Sequence, residues 1–311
     1  MNCHKYTQYE RFSMSVVILT KREKDYENAR LLESFANQGI NVQFANPEKF
    51  DLVVRQGIET GINYNGLTLE KPKLLLTRTG SGTNEFARAL IRQFEEEGTP
   101  CVNSSEGIEI AKDKLRTSQL LVSNGIPIPN TMLVRFPVEV DIVDRNIGWP
   151  CIVKVINGSY GEGVYLCERK KDFKKLMDFT DSLKSAKTLI VQEYVGHRPG
   201  EDLRVFVVGG KVIGAMKRVA PVGDFRANIS NGGHGETFEV TDEIEYIARE
   251  TARVCGLQIA GIDLLFDENG FKVCEANSAP GFEGFERYCN INVADHIVGF
   301  VNFKLNGLTR N

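Results

Sequence analysis

The sequence predicts a mixed α/β and α+β protein whose N-terminal part is built on a parallel α/β sheet. Between residues 15 and 104, short apolar runs such as SVVILT alternate with amphipathic runs such as DYENARLLESFANQG. This alternation of strand and helix is typical of a small parallel sheet. From Cys151 onward, strand-like runs follow one another through short glycine-containing turns, with helices expected near 171–183 and 241–255. The second pattern favours antiparallel α+β units.

The size and charge of the chain limit its class of function. Its 311 residues are enough for two or three domains with a sizeable core. The 41 acidic residues slightly outnumber the 38 basic ones, which gives a net charge of -3, and no long block of lysine and arginine occurs. This balance argues against nucleic acid or an anionic membrane as the main partner. No apolar run is long enough to span a bilayer.

The cysteines point to a reducing compartment. All seven occur singly, without a CxxC pair, so neither a disulfide framework nor a structural zinc site is indicated. Several lie in apolar strand-like runs such as CIVKVI, where a free thiol behaves as a small hydrophobe. Residues 1–14 are expected to form a flexible tail, because the polar N-terminal segment lacks the apolar core of a secretory signal. The sequence therefore predicts a cytoplasmic protein.

Polar residues and glycines set the expected ends of the first two helices. Asp25 and Thr83 are predicted N-caps, because a short polar side chain there can accept a backbone N–H. Gly39 and Gly98 are predicted helix stops. Ligands of parallel sheets bind at the carboxyl ends of the strands, where the loop TRTGSGTNEFAR follows a strand. Arg78 in this loop is therefore a candidate for binding a substrate.

Three boundaries divide the chain into a tail and three parts. The stretch SSEGIEIAKDKLRTSQLLVSNGIPIPNT predicts one long helix followed by a glycine and a proline-rich turn, which is a natural boundary between domains. The predicted parts after the tail are residues 15–105, residues 106–190 and residues 191–311.

A hairpin near the C-terminal end carries a candidate metal site. GIDLLF, DENG and FKVCEAN predict two strands joined by a three-residue turn that ends at Gly270. An odd number of turn residues places Asp263 on the same face as Glu275, and Asn277 shares that face. Two such carboxylates repel each other unless a cation or a shared proton lies between them, and three oxygen donors suit Mg²⁺. The alternative is a salt-bridged core hairpin without a ligand.

A glycine-rich hairpin is a candidate phosphate site. CIVKVINGSYGEGVYL places Lys154 inside an apolar strand and Gly158, Gly161 and Gly163 at the hairpin tip. The backbone amides of such a loop can approach a phosphate closely, and a lysine on the strand can neutralise its charge. No helix follows, and the glycine spacing differs from both the Walker A loop and the Rossmann fingerprint. The alternative is a mobile turn beside a lysine that extends to solvent.

Charged residues recur within the strand-like runs between residues 190 and 235. Asp202 and Arg204 lie two residues apart, as do Arg226 and Asn228, so each pair can point to a single face. Arginines directed into a common cleft are suited to carboxylates and phosphates. Each of these residues could instead form a cross-strand ion pair on the wet face of a sheet, which is the preferred interpretation for Lys217. The full set is Glu193, Asp202, Arg204, Lys217, Arg218, Arg226 and Asn228.

Together these segments resemble the ATP-grasp superfamily, and within it the RimK-type α-L-glutamate ligases. The matching segments occur in the family's order with similar spacing, from about residue 15 to about residue 303; they include DKLRTSQLL, VKVINGSYGEGV, VQEYV, DLRVFVVG, GDFRANI, AGIDLL and EANSAPGFEGFE. The resemblance implies an ATP-grasp fold with an N-terminal pre-ATP-grasp domain at 15–105. It also implies a subdomain with a glycine-rich flap at 106–190 and a C-terminal subdomain with the metal site at 191–311.

The resemblance implies roles for individual residues. ATP is implied at Lys114, Lys154, Gly158, Ser159, Gly161, Gly163, Glu193, Tyr194, Asp202, Arg226 and Asn228, with Glu193 and Tyr194 at the adenine. Magnesium is implied at Asp263, Glu275 and Asn277, with two ions expected and Mn²⁺ as an alternative. Arg218 and Arg226 are the catalytic candidates that stabilise developing negative charge. The substrate candidates are Arg78, Arg204, Ser278 and Gly281.

The family chemistry implies an ADP-forming ligase that makes carbon–nitrogen bonds. The γ-phosphoryl group passes to a substrate carboxylate and forms an acyl phosphate. An amine then attacks the acyl carbon, which releases phosphate and forms an amide bond. The flap would close to keep water from the acyl phosphate. Glutamate is the expected amino acid, joined to an amine or carboxylate acceptor that can be a small molecule, a peptide or a protein C-terminus. The segments TRTGSGTNEFAR and GFERYCNINVADH are expected to line the acceptor pocket.

Three alternatives stay open at the level of sequence. One is an ATP-grasp ligase that uses another amino acid or a carrier protein, the second is a phosphotransferase that stops at phosphorylation, and the third is an ATP-binding regulatory protein without turnover. Relatives of this kind often form dimers or tetramers, so a homo-oligomer is possible; no nucleic-acid or membrane partner is expected.

Overall fold

The computed structural model describes residues 11–12, 15–57, 61–80, 83–156, 163–182, 188–221, 223–227, 229 and 232–308. The chain divides into two compact units. The first comprises Met1–Ile108 together with Asn292–Asn311, and the second comprises Glu109–Ile291. None of the described helices is both long and apolar enough to cross a bilayer.

A parallel sheet forms the centre of the first unit, as predicted. Its strands are β2 (Val16–Leu19), β3 (Val42–Ala45), β7 (Leu74–Thr77) and β8 (Cys101–Val102), in the sheet order β3-β2-β7-β8. A second sheet, in the order β1-β6-β5-β4, contains β1 (Arg11–Phe12), β4 (Phe50–Leu52), β5 (Ile62–Tyr64) and β6 (Leu67–Leu69). The central strands β2 and β7 are buried along their whole length, which is why they read as unbroken apolar runs.

The helices of the first unit differ from the prediction at their N-terminal caps. The helix α1 (Tyr26–Asn37) follows Asp25, which occupies the predicted N-cap position, but the Asp25 side chain makes no capping hydrogen bond. The helix α2 (Glu85–Glu96) is capped by Asn84, whose side-chain oxygen accepts the backbone N–H of Ala87 at 2.9 Å. The prediction of Thr83 as the cap is wrong, because its hydroxyl instead donates to the carbonyl oxygen of Gly80 at 2.7 Å. Gly39 and Gly98 follow these helices with positive φ, as predicted.

The single long helix predicted after residue 104 is divided in two. The helices α3 (Ser105–Lys112) and α4 (Lys114–Ser123) meet at Asp113, which has an extended backbone. Its carboxylate accepts the backbone N–H groups of Leu115 and Arg116, each at 3.0 Å. Asp113 therefore begins a new helix where the amphipathic pattern alone continued the old one.

The last helix belongs to the first unit. In α9 (Val293–Leu308), Asp295 accepts a hydrogen bond from the hydroxyl of Ser34 on α1 at 2.5 Å. Asn302 donates to Gln38 at the end of α1 at 3.2 Å. The predicted boundary grouped this helix with residues 191–311, whereas the structure packs it on α1.

The smaller sheet of the second unit is antiparallel. Its strands are β9 (Thr131–Val134), β10 (Cys151–Val155), β11 (Val164–Cys167) and β12 (Leu189–Glu193), in the order β11-β10-β12-β9. The helices α5 (Val140–Asn146) and α6 (Lys170–Ser182) complete this part. Val153, Val191 and Phe173 of α6 pack together in its core. The opposite face of the sheet, which carries Ile152 and Lys154, is left for the cleft described below.

The larger sheet of the second unit is also antiparallel. Its strands are β13 (Glu201–Val208), β14 (Lys211–Val219), β15 (His234–Phe238), β16 (Ile259–Asp267) and β17 (Gly270–Asn277), in the order β15-β14-β13-β16-β17. The helix α7 (Asp242–Val254) packs on one face through Ile244, Ile247 and Ala248, and α8 (Glu283–Cys289) follows β17. The helices predicted near 171–183 and 241–255 are thus confirmed.

The β16–β17 hairpin places Asp263 opposite Glu275 by a route other than the predicted one. Asp267 pairs with Gly270, so the turn has two residues instead of three. With two turn residues and a regular ladder, Asp263 would lie opposite Cys274. The register shifts between Asp263 and Leu264, and Cys274 is the extra residue of a β-bulge. The bulge therefore restores the predicted pairing of the two carboxylates.

Substitution of Gly270 tests the backbone conformation of this hairpin. Its φ is +130°, and a Cβ atom built there would lie 2.2 Å from Oε1 of Glu243 on α7. We expect Gly270→Ala to lower the free energy of unfolding by about 2 kcal/mol, through backbone strain and this contact. Gly210, in the β13–β14 turn, also has a positive φ but no atom within 4 Å of a built Cβ. Gly210→Ala should lower the free energy of unfolding by only about 1 kcal/mol. Equal losses of unfolding free energy in the two variants, measured by urea unfolding, would contradict the expectation.

Candidate functional site

Six polar side chains share the face of the larger sheet that lies opposite α7. The strand pairing fixes this arrangement, because directly opposed residues point to the same face. The opposed pairs are Asp202 with Arg218, Arg204 with Asp263, Asp263 with Glu275, and Gly261 with Asn277. The structure thus brings together the three predicted metal ligands and three of the other predicted residues.

Four of these residues form a buried ion-pair network. Arg218 donates from Nε and Nη2 to the two carboxylate oxygens of Asp202, at 2.6 and 2.7 Å. Its Nη2 also lies 3.0 Å from Oδ2 of Asp263. Arg204 binds both oxygens of Asp263, with Nη2 donating to Oδ2 at 2.7 Å. The side chains of Arg218 and Asp263 are only 5% and 8% exposed, so each charge is compensated within the protein rather than by water.

The network sets the charge states of its two carboxylates. Burial raises the pKa of Asp263, but attraction from Arg204 and Arg218 outweighs it and holds the pKa below its usual value. Burial also raises the pKa of Asp202, and here it prevails over the opposing pull of Arg218. Burial lowers the pKa of Arg218, but the two aspartates more than reverse this effect and raise it. Arg204 and Arg218 therefore favour the ionised form of Asp263.

A cleft of about 150 Å³ lies over this network within the second unit. Its apolar walls include Ile152 and Val155 of β10, Val164 of β11 and Leu265 of β16. The predicted site residues that line it are Lys114, Lys154, Glu193, Tyr194, Asp202, Arg218, Arg226, Asp263 and Glu275. Such a mixture of apolar walls and a few convergent charges is typical of a small-molecule site.

The predicted phosphate-binding elements are partly described. Lys154 reaches the cleft from β10, and its Nζ lies 3.7 Å from Sγ of Cys274. Gly163 accepts the backbone N–H of Val155 at 3.2 Å, which closes the base of the glycine-rich hairpin. Its φ of +69° and the 2.9 Å approach of a built Cβ to the Val155 side chain favour glycine there. The predictions for Gly158, Ser159, Gly161 and Asn228 fall outside the described residues.

Glu193 is held from two sides at the end of β12. Lys272 of β17 donates from Nζ to Oε1 of Glu193, and Asn130 donates from Nδ2 to Oε2. Burial lowers the pKa of Lys272, but its bonds to Glu193 and the charge of Asp267, 3.4 Å away, raise it overall. Lys272 and Asn130 were not identified from the sequence. The only available signal was a lysine inside a strand, the same signal that identified Lys154.

The remaining candidates are Arg226, Ser278, Gly281 and Arg78. Arg226 lines it, but its guanidinium also binds Asp224, with Nη2 donating to Oδ2 at 2.9 Å. Ser278 and Gly281 follow the end of β17. Arg78 lies in the first unit directly after β7, where its backbone N–H donates to the carbonyl oxygen of Leu19 at 2.9 Å.

The donor set fits a magnesium ion that also binds phosphate. The described residues contain no group of three histidine, cysteine or acidic side chains suited to a metal. The predicted set instead combines two carboxylates with the amide of Asn277, whose Nδ2 faces the carbonyl oxygen of Gly261 at 3.3 Å. This leaves the amide oxygen available as an acceptor. Magnesium commonly takes only one or two carboxylates and completes its shell with water and substrate phosphates.

Comparison with known proteins gives a consistent assignment along the chain. Residues 14–108 match the RimK PreATP-grasp domain, and residues 111–301 match the RimK-like ATP-grasp domain. A "Probable alpha-L-glutamate ligase 2" of Shewanella frigidimarina is 36% identical over 294 residues, covering 94% of this chain and 98% of the relative. A "Probable alpha-L-glutamate ligase" of Coxiella burnetii is 34% identical over 289 residues, covering 93% and 95%.

Solved structures agree in fold. A RimK domain ATP-grasp protein from Sphaerobacter thermophilus superposes with a TM-score of 0.71 at 20% identity, covering 92% of this chain and 99% of the other. The ATP-grasp ligase PsnB, complexed with a phosphomimetic variant of its minimal precursor, Mg and ADP, gives a TM-score of 0.74 at 20% identity, covering 94% and 99%. The predicted ATP-grasp fold and the predicted class, an ATP-dependent ligase that forms carbon–nitrogen bonds, are confirmed. The chain belongs to the RimK-like ATP-grasp family.

Proposed function

We propose that this protein joins L-glutamate to an acceptor through an amide bond, using ATP and Mg²⁺ and passing through an acyl phosphate. The observation that carries the proposal is that the opposed residues Asp263 and Glu275 line a cleft together with Lys154. Asn277 lies beside Asp263, with its Nδ2 3.5 Å from Oδ2 of Asp263. The choice of glutamate is supported by the names of the curated relatives. The acceptor carries an amine or a carboxylate and is a small molecule, a peptide or a protein C-terminus.

The charged residues of the cleft divide between nucleotide and metal. Lys114 and Lys154 neutralise the phosphates, while Glu193 and Tyr194 bind the base. Asp263, Glu275 and Asn277 would hold Mg²⁺, which when bound offsets the charge that develops during phosphoryl transfer. Arg226 lines the cleft and is 38% exposed, so its guanidinium is accessible to a reacting carboxylate.

The guanidinium of Arg218 contacts two carboxylates of the protein itself. Its Nε and Nη2 are directed at Asp202 and Asp263, so its first effect is to hold these carboxylates in place. We retain Arg218 as a candidate for stabilising the oxyanion, through Nη1 or a small rotation of the side chain. The predicted role of Gly158, Ser159 and Gly161 in keeping water from the acyl phosphate falls on residues outside the described ranges.

We also propose a cytosolic location. The seven cysteines occur singly in the sequence, and most of the described ones are buried, where a free thiol packs as a small hydrophobe. Such cysteine usage is typical of proteins of a reducing compartment.

The proposal is tested first by ADP formation. The protein is incubated with ATP and Mg²⁺ and with amino acids, singly and in pairs, and product masses are recorded. We expect ADP only when glutamate and an acceptor are both present, together with a product that has gained glutamate minus water. Addition of a chelator in excess of Mg²⁺ should stop ADP release. ADP without an amide product would favour a phosphotransferase, and a product built from another amino acid would overturn the choice of glutamate.

The metal assignment is tested with Glu275→Gln. This change removes one carboxylate charge while keeping the shape of the side chain, so ADP release should fall about 100-fold or more. Glu236→Gln is the matched control, because Glu236 lies on β15 of the same sheet, pairs with Lys217 and does not line the cleft. Both variants should keep the parental unfolding midpoint. Normal ADP release by Glu275→Gln would remove Glu275 from the metal site.

The phosphate role of Lys154 is tested by nucleotide binding. We expect Lys154→Met to raise the dissociation constant of ATP about 10-fold or more, because a hydrogen bond to a charged group contributes roughly 1.5–3 kcal/mol. The exposed residue Lys211 at the start of β14 provides the control variant Lys211→Met, which should bind ATP normally. The affinities are measured by calorimetry. If Lys154→Met bound ATP as tightly as the parent protein, the alternative of a lysine that extends to solvent would be favoured.

A further inference from the structure

The part of the cleft proposed to bind the base has apolar walls and the carboxylate of Glu193. Glu193 ends β12 and lines the cleft together with the apolar wall residues Ile152 and Leu265. Lys272, which contacts Glu193, pairs with Leu265 on the neighbouring strand. A flat base between these walls would therefore lie in the same cleft as the Glu193 carboxylate.

The carboxylate of Glu193 is fixed by two side chains that lie outside the lining of the cleft. Lys272 donates a hydrogen bond to one carboxylate oxygen and Asn130 donates to the other, so the two bonds restrict rotation of the carboxylate. Each carboxylate oxygen has more than one lone pair, so both can still accept a further hydrogen bond from the cleft side. The ammonium of Lys272 also compensates the charge that Glu193 brings into an apolar slot; the two side chains are 22% and 18% exposed.

A carboxylate held in this way accepts hydrogen bonds and cannot donate them. The exocyclic 6-amino group of adenine is a donor and complements it. The 6-oxo group of hypoxanthine or guanine is an acceptor and would place two acceptors against each other, with neither satisfied. Discrimination between the two kinds of purine then depends on how firmly Glu193 is held.

We propose that Lys272 and Asn130 are positioning residues that hold Glu193 as an acceptor and thereby make the cleft select a 6-amino purine over a 6-oxo purine. The proposal rests on the proposed function, since it requires ATP to occupy this cleft. It assigns a role to Lys272, a lysine of the larger sheet that binds a glutamate of the smaller sheet.

The experiment compares the binding of ATP and inosine triphosphate, each with Mg²⁺ and without amino acid. Calorimetry measures the ratio of the two dissociation constants. We expect the parent protein to favour ATP about 10-fold or more, because a polar group left unsatisfied costs about 1–3 kcal/mol. Lys272→Met should reduce this preference to about 3-fold or less, and Lys272→Arg should restore most of it. If Lys272 had a purely structural role, its replacement would weaken the binding of both nucleotides equally and leave the ratio of the two dissociation constants unchanged.

Lys217→Met is the matched control. Lys217 also lies on the larger sheet, is 20% exposed, and pairs with Glu236 and Glu201. Its ion pairs are with Glu236 and Glu201 and not with Glu193, so its loss should leave the ratio at the parental value. Asn130→Ala provides a second variant at an exposed position, in case Lys272→Met fails to fold, and it should lower the ratio in the same direction.

The outcomes separate this inference from the proposed function. A ratio that falls in the Lys272 and Asn130 variants but not in Lys217→Met supports the inference, even if no glutamate ligation is found. An unchanged ratio in Lys272→Met and Asn130→Ala overturns it, while ATP binding by the parent leaves the proposed function intact. If the parent binds neither nucleotide, the proposed function fails and the inference fails with it.

Discussion

The second unit depends on the ion-pair network of Asp202, Arg204, Arg218 and Asp263. Each of these charges is largely removed from water, and transfer of a single unpaired ion into such a place costs several kcal/mol. The cost is met only because every guanidinium faces a carboxylate in near-ideal geometry, with Arg218 shared between two aspartates. These pairs link β13, β14 and β16, so a shift of one strand would leave two charges uncompensated. The network therefore fixes the register of the sheet as well as the chemistry of its face.

The same network determines how a metal can bind. Asp263 already accepts hydrogen bonds from Arg204 on both oxygens, and Arg218 lies beside one of them. Two neighbouring positive charges oppose the approach of a divalent cation, so in the proposed function the nucleotide phosphates must supply much of the negative charge around Mg²⁺. This agrees with the usual preference of Mg²⁺ for few protein ligands. In the proposed function the protein would align the ion, and the substrate would complete its shell.

The sequence predicted most elements and many of the charged residues that line the cleft, and the prediction failed where the outcome depended on backbone detail or distant contacts. Strand and helix alternation identified the parallel sheet, and the polar residues in apolar runs identified Asp263, Glu275 and Lys154. The turn length of the β16–β17 hairpin was wrong, yet the opposed carboxylates were right, because a bulge at Cys274 compensates for the missing turn residue. No pattern in one strand reports such a bulge. The division at Asp113 and the packing of α9 on α1 likewise depend on a local cap and on contacts between residues more than 200 positions apart.

Two lysines of the larger sheet show why position, rather than residue type, separates structural from functional charges. Lys217 and Lys272 are similarly buried, and each pairs with two acidic side chains. The sequence predicted an ordinary ion pair for Lys217 and gave no role to Lys272. Each lysine has one partner that lines the cleft, Glu201 for Lys217 and Glu193 for Lys272. The difference lies in the sheets that the pairs join: Glu236 and Glu201 belong to the same sheet as Lys217, whereas Glu193 belongs to the smaller sheet and Lys272 to the larger one. An ion pair whose acidic member faces a ligand transmits its geometry to that ligand, and this coupling follows from the three-dimensional register, which no single strand encodes.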